Sequence, residues 1–498
     1  MTRMKSALTL LLIVLPAALA VFLPASAAAA PAPAEIDTDT LDAFIRGQMA
    51  RHSLPGLALA ITVGDEVVVS RGYGQAGRGL PMTADTPLFI GSLAKSFTAL
   101  AVMQLADEGK VELDAPARTY LPWFTVADEQ VAAAISVRDL LQHTSGLSDL
   151  GYLPAHGDNL SIQDGAHALA SARPTGTPGR TFQYFNANYG VLGAIIEATS
   201  GMAYQDYIQA RIFDPLGMRN SYHNPRDAHA AGLAQGYGSL FSFSLPRPQP
   251  YFAYDLPAGF LMMSVNDLSR YLRVQLHGGQ FGGARVLSPS GVAAMHTPTG
   301  ASGVPYAMGW RVSEQFGYQV IGHGGSNENF LTEAMLIPEL DMTIAILINK
   351  NSLLHALYAS PQISDGVLAI AAGQPAPSGG LPMRLVGLAM LAGFCINMVF
   401  NLRALFNLKT WHERWQAMKP LARLWDVAGH FIIPAALALL VPLAMRAWLR
   451  RGFTLRLAFS MMPDGILWLA LGMLLDIIQG CAKLALLRRG RGERALIQ

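Results

Sequence analysis

Phe89-Ile90-Gly91-Ser92-Leu93-Ala94-Lys95-Ser96-Phe97 places a serine and a lysine three residues apart at the start of an apolar run. On a helix, positions i and i+3 share a face. The amine then lies close enough to take the hydroxyl's proton, which is the minimum a serine nucleophile needs when no Ser-His-Asp triad is present. Taken alone, the pair also fits a surface lysine on an amphipathic helix. The choice of cation argues for chemistry. Between residues 31 and 380 the only lysines are Lys95, Lys110 and Lys350, and arginine supplies the remaining positive charge. Arginine cannot give up its proton, so a lysine kept at this place fits a group that must.

Two further motifs extend the pattern. Tyr184-Phe185-Asn186 stands just ahead of the apolar helical run Val191 to Glu197, and His323-Gly324-Gly325-Ser326 follows the apolar stretch Tyr318 to Ile321. The order SxxK, YxN, HxG, at separations of about 90 and 140 residues, resembles the serine β-lactamase and penicillin-binding-protein superfamily in its class C-like branch. Similar phrases lie between, among them Ser136 to Leu147, Pro215-Leu216-Gly217-Met218 and Pro257 to Ser264. The resemblance runs from about residue 38 to 372.

That resemblance implies roles. Ser92 would attack an acyl carbonyl and carry the acyl group, with Lys95 or Tyr184 removing its proton. Asn186 would hydrogen-bond to Lys95 and to a substrate amide. The backbone N–H groups of Ser92 and Ser326 would form an oxyanion hole, a contribution of about 3–4 kcal/mol per donor. Gly324 and Gly325 would let the strand approach the substrate closely. His323 departs from the Lys-Thr-Gly triplet of most β-lactamases. An unperturbed histidine is mostly uncharged at about pH 7, so a fixed charge for a substrate carboxylate is missing. His143 reads as structural, and His296 belongs to no constellation.

The remainder of the chain concerns location. Arg3 and Lys5 precede the apolar run Leu8 to Val21, then Ala25-Ser26-Ala27, a pattern expected of a signal peptide over residues 1–27. A Pro/Gly-rich stretch, Gly373 to Gly380, lies in an expected linker over 373–382. This should separate two independent cores. Beyond it, Leu385 to Leu402 is free of charge, and Val427 to Met445 carries only His430. Each spans about 27–29 Å as a helix, close to the hydrocarbon thickness of a bilayer. A third run, Met461 to Ala482, contains Asp464 and Asp476. Residues 383–498 are therefore expected to form a membrane region of about three transmembrane helices. Asp476 should lie near an interface or pair with an arginine.

Charge divides at the same place. Residues 31–380 carry 19 Lys+Arg against 29 Asp+Glu, a net of −10, and residues 381–498 carry 15 against 5, a net of +10. The basic half surrounds apolar helices and suits anionic lipid rather than nucleic acid. With the catalytic part outside, the positive-inside rule is met by the first loop and the C-terminal end. The second loop, with Arg446, Arg450, Arg451 and Arg456, breaks it. Both cysteines, Cys395 and Cys481, fall in the apolar runs, so the exported part relies on its core without disulfides. No metal-spaced Cys/His cluster, phosphate loop or cofactor motif is present.

The expected fold is α/β, an α+β sandwich: an antiparallel sheet flanked by helices, with a helical subdomain, followed by the transmembrane region. Leu57 to Val63 and Val67 to Arg71 alternate around Gly64-Asp65-Glu66 as a hairpin. Ser92 to Gly109 reads as a helix. Tyr306 to Val312, Gly317 to Gly322, Phe330 to Ile337 and Met342 to Ile348 read as strands. The expected function is a membrane-anchored exported serine hydrolase, its catalytic domain in the periplasm or outside the cell. Its substrate would be a small peptide, amide or ester, cell-wall-derived ones among them, used through an acyl-enzyme by peptidase, β-lactamase or esterase chemistry. The competing class is a non-hydrolytic sensing module that passes ligand occupancy to the membrane helices. Such a module has no need of Ser92, Lys95, Tyr184 and Asn186 together.

Overall fold

A computed structural model describes residues 35–152, 160–298, 303–449 and 455–495. The expected signal peptide lies outside them. Strands β1 (Gly56–Val63), β2 (Glu66–Gly77) and β3 (Leu80–Pro81) begin the main sheet. It is completed by β6 (Arg311–Gln315), β7 (Tyr318–Ser326), β8 (Leu331–Ile337) and β9 (Met342–Ile348), after a separate hairpin, β4 (Tyr237–Leu240) and β5 (Phe243–Pro246). The seven strands run in the order β6-β7-β8-β9-β1-β2-β3, all antiparallel. The expected strand at Tyr306 to Val312 is shifted to Arg311–Gln315. Residues 304–310 turn instead, with Gly309 at φ +77° and the Ala307 N–H on the Trp310 carbonyl.

Central strands are apolar on both faces, as a sheet covered twice requires. On β1, Leu57, Leu59 and Ile61 face helices α1 (Thr38–His52) and α6 (Ser360–Ala371), while Ala58 and Ala60 face the other layer. The small alanines let α5 (Val265–Leu276) lie close to the sheet. Behind α5's layer runs α2 (Ala94–Asp107), whose residues 94–105 are all buried. A helical subdomain containing α3 (Asn186–Ser200) and the single turn α4 (Leu256–Gly259) closes the site from above.

Three C-terminal helices are long and apolar enough to cross a membrane: α7 (Met383–Phe406), α9 (Pro420–Leu449) and α11 (Pro463–Ala495). Two short helices join them, α8 (Leu408–Gln416) and α10 (Leu455–Met461). Polar side chains pair between the long helices, as packing in an apolar solvent favours. Lys483 meets Asp426 at 2.8 Å, and Gln479 donates to Asn401 Oδ1 at 3.0 Å. Among the described residues Asp476 pairs with His430, at 3.1 Å, and not with an arginine.

Among the described residues, the two hydrophobic cores that cover the sheet contain none from the helical bundle, yet the two parts touch. The tip of the β4–β5 hairpin, Phe241 and Ser242, adopts φ of 49° and 70° and is buried against the bundle. Phe241 N–H donates to Asp464 Oδ1 at 2.6 Å, Ser242 Oγ donates to the Met383 carbonyl, and the Phe241 ring lies 5.5 Å from Phe394. Lys350, fully buried, donates to the carbonyls of Ser53 and Ser242 at 3.0 and 3.1 Å, and burial pushes its pKa down to about 7. The linker itself is held: Arg51 donates to the Gly379 and Gly380 carbonyls. A chain ending after Gly373 is therefore expected to fold, because its cores are complete, but with a loosened hairpin. Limited proteolysis should cut near Phe241–Phe243 in the truncated form and spare that bond in the full chain. Equal protection in both would show that the bundle contributes nothing to the hairpin.

Candidate active site

Ser92 sits in a short 3₁₀ turn, Gly91–Leu93, that feeds directly into α2. The turn needs glycine at 91, where φ is +54° and a side chain would collide with the Ser326 nitrogen. A side chain at Gly325 would strike the Ile90 carbonyl. Strand β7 and the turn that carries Ser92 thus meet backbone to backbone.

Lys95, the second residue of α2, is fully buried. Its Nζ donates to Ser92 Oγ at 3.2 Å and to the Ala258 carbonyl of α4 at 2.6 Å. It also lies over the rings of Tyr184, 4.9 Å from the centroid, and Tyr189, at 5.7 Å. Asn186 opens α3 with an exposed side chain. Neither of these Lys95 hydrogen bonds goes to it. Burial raises the phenols of Tyr189 and Tyr306 well above the usual tyrosine range, and raises Asp255, three residues before Ala258, to about 7.

Around Tyr184 the rings of His143, Tyr306 and His323 stand at centroid distances of 4.3, 6.1 and 6.3 Å. His143 is structural, as expected. Its Nδ1 accepts from the Phe185 N–H and faces Asn188 Nδ2, both at 3.2 Å, and Asn188 Oδ1 in turn accepts from Ser145. That network fixes the neutral ring carrying hydrogen on Nε2 and packs it against Tyr184. His296 likewise has a plain role: it faces Gln275 at 3.0 Å, edge-on to Trp310, and burial lowers its pKa to about 4.

His323 lies on β7, buried, with Nδ1 2.7 Å from the Gly324 carbonyl and Nε2 3.2 Å from the Tyr306 hydroxyl. A carbonyl only accepts, so Nδ1 carries the hydrogen; a neutral ring then accepts the Tyr306 O–H at Nε2. Beyond Gly322, β6 no longer pairs with β7. The Asn327 N–H binds the Phe330 carbonyl, so the ladder's alternation turns the Ser326 N–H away from β8, toward the nucleophile turn. Asn351, fully buried, donates from Nδ2 to Ser326 Oγ at 2.9 Å and braces this end of the strand. On the opposite face, beneath Gly324, Glu333 accepts from Ser360 at 2.7 Å, and burial raises its pKa to about 7.

Ser92, Lys95, Tyr184, His323, Gly325 and Ser326, spread over 235 residues of sequence, lie in one neighbourhood. Sequence reading missed two participants. The Ala258 carbonyl carries no side-chain signal at all, and Tyr306 was absorbed into an expected strand. Asn351 and Lys350 stand side by side in Ile348-Asn349-Lys350-Asn351, a polar run straight after an apolar strand, which is the kind of break that could have marked them.

Comparison with known proteins places the chain in a family. The chain is 30% identical over 315 residues to penicillin-binding protein 4 of Amycolatopsis lactamdurans, covering 60% of this chain and 81% of that one. It is 29% identical over 346 residues to the unguisins hydrolase ungD' of Aspergillus campestris, covering 63% of this chain and 62% of the relative. Among solved structures, the octameric penicillin-binding protein homologue from Pyrococcus abyssi superposes with a TM-score of 0.57 at 29% identity, covering 68% of this chain and 78% of that one. The β-lactamase family model matches residues 41–365, and the chain belongs to that family.

Proposed function

We propose that this protein is an exported, membrane-anchored serine hydrolase that works through an acyl-enzyme on Ser92. The observation that carries the reading is Lys95 Nζ, held between Ser92 Oγ and the Ala258 carbonyl at the open edge of β7. Ser92 Oγ attacks the substrate carbonyl and its proton passes to Lys95, the base in contact with it. The resulting oxyanion is received by the Ser92 and Ser326 N–H groups. The intermediate collapses with cleavage of the bond to the amine or alcohol, which leaves carrying the proton from Lys95. Water then attacks the acyl carbonyl as Lys95 takes its proton. The Ser92 ester bond breaks, the carboxylic acid departs, and Lys95 returns the proton to Ser92 Oγ. The substrate class is a small peptide, amide or ester, cell-wall-derived peptides included. The helices α7, α9 and α11 support a membrane anchor, with the hydrolase at the end where Met383 and Asp464 lie.

The test is covalent labelling with a fluorescent penicillin and with a fluorophosphonate. Ser92→Ala should abolish both labels while leaving the thermal unfolding midpoint within a few degrees of wild type, because a lost hydroxyl removes little packing. The lifetime of the penicillin adduct then sorts the chemistry: a long-lived adduct marks a peptidase, rapid turnover a β-lactamase. A wild-type chain that takes neither label would be a binding or sensing module instead.

A further inference from the structure

One side chain of the helical bundle reaches the turn that follows Ser326. The β7–β8 turn, two residues past Ser326, carries Glu328. Arg456, on the outer helix α10, brings its Nε to 3.9 Å from one Glu328 oxygen. Arg247, just after β5, brings a terminal nitrogen to 4.0 Å from the other. Both distances are too long for hydrogen bonds. Arg247 spends one N–H on the Ser460 carbonyl of α10 at 3.0 Å. Arg456 donates no hydrogen bond among the described residues, and its guanidinium is steadied 5.3 Å over the Phe252 ring. Two guanidiniums therefore converge on a single carboxylate, half of Arg456 is open to solvent, and the cluster carries a net charge of +1.

This placement accounts for a charge pattern that orientation alone leaves unexplained. Arg456 belongs to the loop whose arginines defy the positive-inside rule, and it faces the catalytic domain instead of the cytoplasm. His323 meanwhile offers the cleft no fixed charge. A planar guanidinium with free donors matches a carboxylate or phosphate in two-point geometry.

We propose that Arg247 and Arg456, set around Glu328, form an anion subsite built jointly by the hydrolase and the membrane bundle, and that it selects substrates bearing an acidic group at the membrane surface. The inference rests on the serine-hydrolase reading. The acidic group belongs to the acyl substrate and extends past Ser326 along the rim. Glu328 tempers the subsite by keeping its net charge at one.

The test uses the full chain in phosphatidylcholine nanodiscs and two matched esters, one ending in a carboxylate and one in the corresponding methylamide. The readout is the ratio of their kcat/KM values. Arg456→Gln should lower the acidic-to-neutral ratio about tenfold, and Arg456→Lys should restore part of it. Glu328→Gln should move the ratio the other way, and salt should compress it. An unmoved ratio, or a shift in the same direction for Arg456→Gln and Glu328→Gln, overturns the subsite. The subsite also falls if added phosphatidylglycerol changes both esters equally and Arg456→Gln removes that response, since the ligand is then a lipid headgroup. If Ser92 of the wild-type chain reacts with neither ester nor a fluorophosphonate, the hydrolase reading falls and takes the subsite with it. A reactive Ser92 with an unmoved ratio sinks the subsite alone.

Discussion

Lys95→Arg should cut the rate of Ser92 acylation by about 10³-fold or more, the scale expected when a positioned base is lost. Arginine keeps the positive charge but cannot give up its proton. Its wider planar head must also fit a slot with no solvent-accessible surface, between the Ala258 carbonyl and the rings of Tyr184 and Tyr189. The change therefore separates the proton-transfer role from mere charge. Pseudo-first-order labelling with a fluorescent penicillin reads the rate directly, and a neutral fluorophosphonate guards against a defect peculiar to one probe. Labelling within tenfold of wild type would remove Lys95 from the role of base. Tyr184 would then take that place, and Tyr184→Phe would become the damaging change.

His323→Lys should slow acylation of a neutral ester and of a penicillin alike, by about 10- to 100-fold. In its neutral form the imidazole would do two jobs that an ammonium cannot combine. It donates to the Gly324 carbonyl and accepts from the Tyr306 hydroxyl. Lysine has no acceptor, so the Tyr306 O–H loses its bond to this position and is left with Tyr189 as its polar neighbour, in a buried place where a lost hydrogen bond is costly. A cation would also stand among the rings that hold Tyr184. Tyr306→Phe should reproduce a smaller part of the same loss, since the ring packing survives. A gain confined to the penicillin would show that the position serves only to attract a carboxylate. The hydrogen-bonding role of His323 would then be mistaken.

Much of the fold is legible in the residues because it rests on local periodicity. Alternation in Leu57 to Val63, with β-branched and leucine side chains on one face and alanines on the other, specifies both a strand and the two unlike layers that cover it. The long apolar runs after residue 383 appear as helices, since few structures satisfy twenty or so apolar residues. They extend past their expected limits, by seven residues at the start of α9 and thirteen at the end of α11. The region 304–310 was misread because its composition suits a strand, while Gly309 at positive φ imposes a turn.

The site divides in the same way. Ser92 and Lys95 are local in sequence, so helical spacing alone brings them together, and the motif reveals them. What holds them cannot be seen there. The Ala258 carbonyl acts through backbone that every residue possesses, and Tyr306 reaches His323 only because a turn, not a strand, carries it. The sequence by itself determined the strand at Leu57 to Val63, the helix that carries Lys95 and the apolar helices, because each follows from side-chain pattern over a few residues. The arrangement of the strands in one antiparallel sheet was implied only by the family resemblance. Only the tertiary structure decided that the β4–β5 hairpin seats on the bundle and that Arg456 arrives beside Glu328. Those contacts join groups 128 or more residues apart. Nothing in the local pattern sets the distance between such groups; the packing of two separately formed bodies does.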